Sequence, residues 1–423
     1  MEKIRKIGKV DVLIDCNSSH DIYFDEEFTN KNNLSNGASQ LDICQLLSKD
    51  EFRPLYLMWE IVDKCNFSCP FCYIVGHSNN KVVRFNEAKK SIDSLLDKGL
   101  LYCLLTGGEA TIHPDFIEIY KYLKTNGVIV EVYTNGAQLT NKNFEIFSKY
   151  KPYKLEITIY GITDKVFIEN TQSKFFAKNV LDNIEILKQS GVNVICKTAV
   201  NSMTATEFKS IQHWCKERNI KHYHSSDITD SYDNESLVRF VAPIDIKLKY
   251  EVENEINFIN SYGNPKTGVK KSCFSCSVGS YGIHINSNFE LQPCSSFNGK
   301  RKGYDIRELG IDESFEINRS LDFGCGVGRL LIPLAKRSQY AVGIDVADEM
   351  LKLCTENIKK YSIDNAEAFK SNDELSNIEG TFNFINSYIV LQHIPPSRGY
   401  EIIRKLISKL EIGGGGFVTI NLL

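Results

Sequence analysis

The sequence lacks any long apolar run, and none of its 423 residues belongs to a stretch suited to a membrane span or a secretory signal peptide. It also lacks a strong charge of either sign, because 50 Lys and Arg residues stand against 53 Asp and Glu residues, for a formal net charge of −3. The net charge therefore gives the whole chain no electrostatic attraction to nucleic acid or anionic lipid. We expect a cytoplasmic protein that binds neither.

Cysteine is the residue type that is plentiful, with 13 copies. The cytoplasm keeps thiols reduced, so metal binding is favoured over disulfides. Six cysteines fall into two tight groups, and Cys325 lies in a glycine loop of the C-terminal part. We expect the others to be buried structural thiols; they are Cys16, Cys44, Cys103, Cys196, Cys215 and Cys354.

The first tight group has the spacing C-x3-C-x2-C and consists of Cys65, Cys69 and Cys72. Three thiolates this close together can hold three corners of a cubane iron–sulfur cluster. No fourth cysteine follows at a matching spacing, so one iron would stay open to a small chelating molecule. Zinc usually takes four N or S ligands, often as two separated pairs, and suits this triplet less well. Core thiols or disulfide partners would also account for three cysteines.

An aromatic residue, Phe71, precedes the last cysteine of the triplet. With it, the segment resembles the signature of the radical S-adenosylmethionine (SAM) superfamily. The resemblance implies that Cys65, Cys69 and Cys72 bind a [4Fe–4S] cluster whose open iron takes the amino and carboxylate groups of SAM. It further implies reductive cleavage of SAM to a 5′-deoxyadenosyl radical that abstracts hydrogen from a substrate.

Strand-like and helix-like segments alternate from Leu55 onward, which predicts a parallel sheet with helical crossovers. The predicted strands are Leu55–Ile61, Tyr102–Thr106, Val128–Tyr133, Lys154–Tyr160, Asn193–Val200 and Lys221–Ser225. The predicted helices are Glu87–Lys98, Pro114–Thr125, Asn141–Lys149, Ala177–Gln189 and Thr206–Arg218. Six such units suit an α/β fold of the partial (β/α)6 TIM-type barrel, which is also the fold that the resemblance implies. Active sites lie at the carboxyl ends of such strands, where the cysteine triplet stands.

Further motifs follow the predicted strands. Gly107-Gly108-Glu109 resembles the GGE motif of the same superfamily, which implies that it holds the SAM amino group; a plain turn is the alternative. Thr134-Asn135-Gly136, after the third strand, again resembles the family and implies a SAM contact for Asn135, although a turn signal explains it equally well. Glu156 on the fourth strand points either toward SAM or toward solvent.

Three other polar residues are ambiguous. Lys197 on the fifth strand is either a SAM contact or a solvated lysine. His113, directly before a proline, fits a helix cap better than a chemical role. His77 follows the cysteine triplet and is either a substrate contact or a surface residue.

The second tight group is Cys273, Cys276 and Cys294, with a predicted β-hairpin within residues 281–294. It resembles the auxiliary-cluster extensions called SPASM and twitch. Phe289 stands where that family often has glycine, and the further cysteines of a full SPASM domain are missing. The resemblance therefore implies one auxiliary cluster on three cysteines; a zinc site is the alternative.

The C-terminal part contains a strand, a glycine loop and a helix start, with Asp322, Gly324, Gly326 and Gly328 in the loop and Asp345 after the next strand. This arrangement is typical of a nucleotide-binding loop with a ribose-binding carboxylate. Together with segments 390–396 and 413–416 it resembles class I SAM-dependent methyltransferases, which have Rossmann-like topology. The resemblance implies that the loop residues line SAM and that Asp345 binds the ribose; a dinucleotide dehydrogenase is the alternative.

This methyltransferase-like part has an incomplete set of predicted strands. The strand Phe417–Ile420 is the fifth, and a full class I domain has two more. An active domain and an inactive remnant both stay open. Cys325 belongs to the glycine loop, so we do not count it as a cluster ligand.

We predict four parts: an N-terminal extension (1–53), a radical SAM barrel (54–230), a twitch- or SPASM-like domain (231–319) and a truncated methyltransferase-like domain (320–423). The extension is either packed on the barrel or a small lid or peptide-binding appendage. The predicted activity is that of an oxidoreductase or transferase that modifies a ribosomal peptide or a protein, with a flavodoxin or ferredoxin as reductant. A small-molecule biosynthetic enzyme and a non-catalytic iron–sulfur scaffold stay open, and we assign no catalytic residue.

Overall fold

A computed structural model describes residues 2–18, 22–24, 26–32, 39–48, 53–72, 74, 82–226, 228, 236–248, 281–292, 303–307, 317–372, 374–387, 390–391 and 394–418. The chain forms two compact units. The first contains residues 1–300 and 305–307, and the second contains residues 301–304 and 308–423. Across the described ranges, we find no helix with the length and apolar character that a membrane crossing requires.

The first unit contains a three-stranded sheet and a nine-stranded sheet. Its strands are β1 (Glu2–Ile7), β2 (Val10–Asp15), β3 (Ile22–Phe24), β4 (Tyr56–Val62), β5 (Tyr102–Gly107), β6 (Ile129–Thr134), β7 (Lys154–Thr158), β8 (Val194–Ala199), β9 (Lys221–Ser225), β10 (Gly282–Ile285), β11 (Glu290–Gln292) and β12 (Tyr304–Asp305). Its helices are α1 (Glu26–Asn32), α2 (Gln40–Leu47), α3 (Phe85–Asp97), α4 (Phe116–Thr125), α5 (Asn141–Lys149), α6 (Asp164–Thr171), α7 (Ala177–Gln189) and α8 (Phe208–Glu217).

The nine-stranded sheet has the order β12-β11-β10-β4-β5-β6-β7-β8-β9. Strands β4 to β9 are adjacent in chain order and pair in parallel, with a helix after each of the first five. This confirms the predicted α/β fold with a partial barrel of six strands. One face of these strands carries buried aliphatic side chains such as Leu57, Leu105 and Val132. Side chains on the other face, such as Leu104, are buried as well, and coverage of both faces explains why the strands read as apolar runs in the sequence.

The N-terminal residues form an antiparallel sheet, β1-β2-β3, that shares an apolar core with the beginnings of the barrel strands. Val12 and Ile43 pack in this core with Tyr102, the first residue of β5, and Ile129, the first residue of β6. The guanidinium of Arg5 donates to the carbonyls of Leu96, Leu100 and Gly127. Burial lowers the pKa of Arg5 to about 10. The segment therefore packs at the end of the barrel that lies opposite the cysteine triplet, and it is not a lid over that triplet.

A β-hairpin continues the barrel sheet on its other side. Strand β10 pairs in parallel with β4 and antiparallel with β11, as the sequence predicts for a hairpin in this region. Phe289 in the turn has a φ of +64°, a conformation that usually requires glycine. Its ring is fully buried and lies 5.7 Å from that of Trp59 on β4. The aromatic contact offsets the backbone strain and explains why phenylalanine occupies this position.

The second unit is a five-stranded parallel sheet with the order β15-β14-β13-β16-β17. This is the Rossmann-like arrangement that the sequence predicts. Its strands are β13 (Ile317–Phe323), β14 (Ser338–Asp345), β15 (Ala366–Lys370), β16 (Phe382–Ser387) and β17 (Leu410–Val418), and its helices are α9 (Leu331–Ala335), α10 (Asp348–Lys360) and α11 (Pro396–Ser408).

The last strand differs from its prediction. It begins at Leu410 instead of Phe417 and contains the four-glycine run 413–416. Glycine is uncommon in strands, which hid this extension in the sequence. A side chain at Gly416 would meet the Ile385 carbonyl at 2.5 Å, so the close approach of β17 to β16 requires glycine there.

Candidate functional site

The cysteine triplet lies on the loop that follows β4, at the carboxyl end of the first barrel strand. Cys69 is buried, whereas Cys65 and Cys72 are partly buried, and all three are free thiols. The backbone N–H of Cys72 donates to the Cys69 carbonyl at 3.1 Å, and that of Ser68 donates to the Thr171 carbonyl at 2.8 Å. These bonds fold the loop back on itself and tie it to the end of α6.

The three thiols influence one another electrostatically. Burial raises the pKa of the Cys65 thiol to about 11, and the N–H of Phe67, which donates to the Cys65 sulfur at 3.4 Å, opposes this rise. Burial also raises the pKa of Cys69, with smaller contributions from Cys72 and Cys65. Three neighbouring sulfur donors with a backbone N–H already aimed at one of them fit the corner ligands of a cubane cluster. In the ranges that the structure describes, no group of three or more His, Cys, Asp or Glu side chains is arranged to hold a single metal ion.

The Gly107-Gly108-Glu109 motif lies directly beside the cysteine loop. The N–H of Gly108 donates to the Val62 carbonyl at 2.8 Å, and the N–H of Glu109 donates to the Lys64 carbonyl at 3.0 Å. A side chain at Gly107 would lie 2.1 Å from the Val62 carbonyl oxygen, and one at Gly108 would lie 2.4 Å from that of Lys64. Both glycines therefore allow the end of β5 to reach the backbone that precedes Cys65.

The carboxylate of Glu109 is buried, with a relative exposure of 1%, and is held by donors of the protein. Its Oε1 accepts from the Thr111 N–H at 3.1 Å, the Thr111 hydroxyl at 2.5 Å and the Thr134 hydroxyl at 2.6 Å. Its Oε2 accepts from the Asn135 N–H at 2.6 Å. Burial raises the pKa of Glu109, and these hydrogen bonds oppose the rise. Because Oε1 already takes three donors, Oε2 is the oxygen with capacity for a further donor.

Asn135 lies between Glu109 and the cysteine loop. Its side-chain nitrogen donates to Asn66 Oδ1 at 2.6 Å and to the Cys65 sulfur at 3.8 Å. Its Oδ1 accepts from the Ala137 N–H at 3.0 Å, which forms the local turn. Asn135 therefore forms the turn that the sequence indicates, and it also lies beside the cysteine triplet. Its contact with SAM stays a prediction.

Glu156 is buried and does not point toward solvent. It forms an ion pair with Lys197 of the neighbouring strand β8. The Lys197 ammonium also lies 4.0 Å from the centroid of the Tyr133 ring. Lys197 therefore has protein partners and is not fully solvated. Glu156, Lys197 and the Tyr133 ring together connect three successive strands on one face of the sheet.

Two further contacts between polar side chains join neighbouring strands of this sheet, and no motif in the sequence indicates either. His284 Nε2 of β10 is 3.3 Å from Glu60 Oε1 of β4, and both side chains are almost fully buried. Lys154 Nζ of β7 is 3.8 Å from Glu131 Oε1 of β6. Burial raises the pKa of Glu131, and Lys154 opposes the rise. Because each pair joins residues from two adjacent strands, the polar face appears only when the sheet forms.

Aromatic side chains surround the cysteine loop, and we call them the aromatic cluster. Its members are Phe67, Phe71, Tyr160, Phe167, Phe175 and Phe240. The ring of Phe67 lies 5.7 Å from Tyr160 and 5.6 Å from Phe167, while that of Phe71 lies 6.3 Å from Tyr160. Sequence reasoning found only Phe71. Phe67 lies in the cysteine loop itself, and the remaining rings come from segments after β7 and β9 that carry no motif of their own.

The remaining predictions have three outcomes. His113 is buried and structural: its Nδ1 accepts from the Asp115 N–H at 3.0 Å, and its Nε2 lies 3.2 Å from the Val83 carbonyl oxygen. The others lie outside the described residues; they are His77, Cys273, Cys276 and Cys294. The single cysteines are buried, as expected; they are Cys16, Cys44, Cys103, Cys196, Cys215 and Cys354.

In the second unit, the predicted carboxylate Asp345 organises the glycine loop. Its Oδ2 accepts from the Gly326 N–H at 2.9 Å, and its Oδ1 accepts from the Ala347 N–H at 2.9 Å. Gly324, Gly326 and Gly328 all have positive φ angles, which the tight loop requires. These residues meet where the chain passes from one half of the sheet to the other, the place where open α/β sheets bind ligands.

Asp322, at the end of β13, is the second carboxylate of this loop and has a relative exposure of 2%. Its Oδ1 accepts from the Asn386 amide of β16 at 2.7 Å. Burial raises the pKa of Asp322 to about 6, against the effect of this hydrogen bond. Asn386 is a neighbour that the sequence did not indicate.

Comparison with known proteins identifies two segments of the chain. Residues 59–209 match the family model described as the radical SAM superfamily. Residues 321–414 match the model described as a methyltransferase domain.

Two curated relatives match parts of the chain. The antilisterial bacteriocin subtilosin biosynthesis protein AlbA of Bacillus subtilis strain 168 is 24% identical over 269 residues, which are 62% of this chain and 60% of AlbA. The GTP 3′,8-cyclase of Actinobacillus pleuropneumoniae serotype 5b strain L20 is 24% identical over 189 residues, which are 43% of this chain and 55% of the cyclase. The chain thus matches less than two thirds of the length of either relative.

Solved structures share the fold. The crystal structure of Streptococcus suis SuiB has a TM-score of 0.54 at 12% sequence identity and covers 75% of this chain and 90% of SuiB. A second structure, of SuiB bound to the precursor peptide SuiA, has a TM-score of 0.53 at 13% identity and covers 75% of this chain and 91% of that one.

Proposed function

We propose that this chain, which matches the radical SAM superfamily over residues 59–209 and a methyltransferase domain over residues 321–414, reductively cleaves SAM to modify a peptide or protein. In this proposal Cys65, Cys69 and Cys72 hold a [4Fe–4S] cluster. The observation that carries it is the position of the three thiols, which share one loop at the carboxyl end of β4, directly against the Gly107-Gly108-Glu109 segment.

When bound by these thiols, a cluster would supply one electron for the reductive cleavage of SAM, the chemistry that generates a hydrogen-abstracting 5′-deoxyadenosyl radical. The protein side of the site consists of contacts made by the chain's own residues. Glu109 Oε2 is positioned as an acceptor for an ammonium group, and the two glycines bring its backbone beside Cys65. The aromatic cluster covers the loop and limits the access of water to it.

A peptide or protein is the substrate class that we favour. The relative AlbA is a bacteriocin biosynthesis protein, and SuiB has been solved with a precursor peptide. GTP 3′,8-cyclase, which acts on a nucleotide, matches a shorter part of the chain. The second cysteine group, for which we propose an auxiliary cluster on Cys273, Cys276 and Cys294, is consistent with either class.

The cluster and SAM cleavage are tested by reconstituting the chain anaerobically and measuring iron, sulfide and 5′-deoxyadenosine after addition of dithionite or flavodoxin. We expect Cys69→Ala to lose the SAM-binding cluster and the formation of 5′-deoxyadenosine. Cys44→Ala is the matched control, because Cys44 is a buried thiol in α2. If the loaded wild-type chain forms no 5′-deoxyadenosine, the proposal fails and a non-catalytic scaffold is favoured.

The substrate class is tested with two probes. One is the product of a short gene next to the gene for this chain, if it encodes a Cys- or Gly-rich peptide, made with deuterium on its carbon-bound positions; the other is GTP. Transfer of deuterium from the peptide into 5′-deoxyadenosine supports the proposal. GTP-dependent cleavage without a response to the peptide supports the small-molecule alternative.

For the second unit we propose binding of the nucleoside part of SAM at the glycine loop, because the Asp345 carboxylate and the loop glycines meet at the point where the sheet reverses. Titration calorimetry with S-adenosylhomocysteine tests this. Asp345→Asn should weaken binding by about tenfold or more, since hydrogen bonds to a charged group contribute about 1.5–3 kcal/mol. Asp348→Asn is the control, because that carboxylate is exposed and pairs with Lys370. Equal affinities of the two variants would contradict the assignment.

A further inference from the structure

Five rings of the aromatic cluster form a row beside the cysteine loop, which we call the aromatic row. From one end to the other, its members are Phe175, Phe67, Tyr160, Phe71 and Phe240. Successive ring centroids are 6.1, 5.7, 6.3 and 6.2 Å apart. Phe67 is buried, whereas the other four residues are partly exposed. The row therefore presents aromatic surface at the loop that carries the three cysteines.

Two segments of the chain fix the end rings at this place. Phe175 follows α6, whose last residue, Thr171, accepts from the Ser68 N–H of the cysteine loop at 2.8 Å. Phe240 follows the last barrel strand, and its carbonyl accepts from the Ser202 N–H, just after β8, at 2.9 Å. Both ends of the row are thus tied to the carboxyl edge of the barrel, which is the edge that carries the cysteine loop.

Exposed apolar side chains extend the row at both ends. Phe176, next to Phe175, is 50% exposed, and Val238, which belongs to the same short turn as Phe240, is 70% exposed. A group of exposed apolar side chains indicates a binding surface, because docking of a partner removes them from water.

A cation accompanies each end ring. The Lys174 ammonium lies 5.9 Å from the centroid of the Phe175 ring, and the guanidinium carbon of Arg239 lies 4.9 Å from that of the Phe240 ring. Lys174 and Arg239 are both exposed. An apolar surface with a cation at each end complements a peptide segment in which an apolar side chain has acidic residues on either side.

We propose that the aromatic row is the docking surface for the substrate peptide, and that it takes a segment with an apolar centre and acidic flanks. This inference rests on the proposed function, since it takes the substrate to be a peptide. A peptide from which hydrogen is abstracted has to reach the cysteine loop, and the row lies against that loop. Aromatic side chains also supply a large contact area at a low cost in conformational entropy, which suits them to hold a flexible peptide.

The experiment measures fluorescence anisotropy with the full chain as reduced apoprotein. The probe is a fluorescein-labelled peptide of Gly and Ser with Phe-Leu-Phe at its centre and Asp on either side. One matched peptide has Ser in place of the apolar centre, and another has Lys in place of Asp. We expect the Ser peptide to bind about tenfold more weakly, since burial of one large apolar side chain contributes that factor.

Phe176→Ser and Val238→Ser test the apolar ends of the row. Each should weaken binding of the probe by about threefold or more, because each removes contact area. Ile186→Ser is the matched control. Ile186 is 46% exposed, but it lies in the last turn of α7, which runs from the carboxyl end of β7 back toward the beginning of β8. Its replacement should leave the affinity unchanged.

Lys174→Glu and Arg239→Glu test the charges. Each should weaken binding of the Asp-flanked probe and strengthen binding of the Lys-flanked peptide by about threefold at low salt, the scale of an exposed ion pair. Lys121→Glu makes the same change of charge at an exposed residue of α4, the helix that leads back to the beginning of β6, and is the control. It should alter neither affinity.

The outcomes separate this inference from the proposed function. Equal affinities for the apolar and the Ser peptide overturn the inference, as do equal affinities of Phe176→Ser, Val238→Ser and Ile186→Ser for the probe. Charge reversals with no more effect than the Lys121 control overturn the acidic flanks. A loaded wild-type chain that does not cleave SAM overturns the proposed function, and the role of the peptide as substrate with it. The affinities are measured without a cluster, so they decide in either case whether the row binds the peptide.

Discussion

Gly108 has no side chain at the point where the end of β5 meets the backbone that leads into Cys65. A β-carbon built there lies 2.4 Å from the Lys64 carbonyl oxygen and 2.5 Å from that of Asp63. Both neighbours are backbone atoms, which cannot swing away as a flexible side chain can. The cysteine loop itself would have to move.

We therefore expect Gly108→Ala to lower the iron content of the reconstituted chain and to destabilise the fold by about 1–3 kcal/mol, as overpacking does. Iron analysis and thermal unfolding measure both effects. Gly399→Ala is the control, because nothing lies within 4 Å of a β-carbon at this helical glycine. That change should leave iron content unaltered and stabilise by about 0.5–1 kcal/mol. Normal iron loading of Gly108→Ala would show that the loop tolerates the displacement.

Asp322 makes the stability of the second unit depend on pH. Burial raises its pKa from 3.8 to about 6 in the folded state. The folded chain thus holds a proton between these values that the unfolded chain releases. The contribution of this group to stability is full below about pH 4 and is lost as the pH rises through about 6, for a total of about 3 kcal/mol.

The comparison with Asp322→Asn isolates this effect, because the amide resembles the protonated acid and still accepts from Asn386. Thermal unfolding midpoints of both chains are measured between about pH 4.5 and 7.5. The wild type should lose stability relative to the variant as the pH rises. A difference that stays constant over this range would contradict the assignment.

Several residue roles follow from the fold and not from local sequence. Thr134-Asn135-Gly136 reads equally as a turn, and only the approach of the cysteine loop gives Asn135 its bonds to Asn66 and Cys65. Tyr160 carries no motif, because the rings of Phe67 and Phe71 that it contacts lie far away in the chain. Motifs with fixed spacing, such as the cysteine triplet, were visible because all their members lie on one loop.

At the scale of elements, the turn that holds Phe289 combines a strained backbone with a buried ring. The φ of +64° costs about 1–2 kcal/mol for a residue with a side chain. Phe289→Ala loses the contact with Trp59 and keeps the strain, and we expect a loss of about 3–5 kcal/mol. Phe289→Gly loses the same contact but relieves the strain, so it should be more stable than the alanine variant by about 1 kcal/mol.

Thermal unfolding of the apoprotein ranks these variants. The control pair is Phe116→Ala and Phe116→Gly, because Phe116 begins α4 and has no positive φ angle. There the usual order should hold, with alanine the more stable. If the alanine variant were also the more stable one at position 289, the turn would be relieving its backbone strain without glycine.

The barrel strands were predictable because both of their faces are covered and they read as apolar runs between turn signals. Helix α6 was missed, since it is short and contains β-branched residues. Strand β1 was missed because four of its six residues are charged, and the burial of Arg5 against three carbonyls is visible only in the folded chain.

For the whole molecule, iron stoichiometry tests the two cysteine groups together. We expect about eight irons per chain after reconstitution, for two cubanes of four. Replacement of Cys273, Cys276 and Cys294 by Ala should reduce this to about four without loss of 5′-deoxyadenosine formation in the absence of substrate. About four irons in the wild type would argue against an auxiliary cluster.

The parallel pairing of β10 with β4 has a practical consequence for anyone who divides this chain. Residues 282–285 occupy the hydrogen-bonding edge of the strand that leads into Cys65. A fragment cut at residue 230 would leave that edge bare, and unpaired strand edges recruit other chains into aggregates. The minimal soluble piece for expression should extend beyond Gln292, the end of β11, even when only the barrel is of interest.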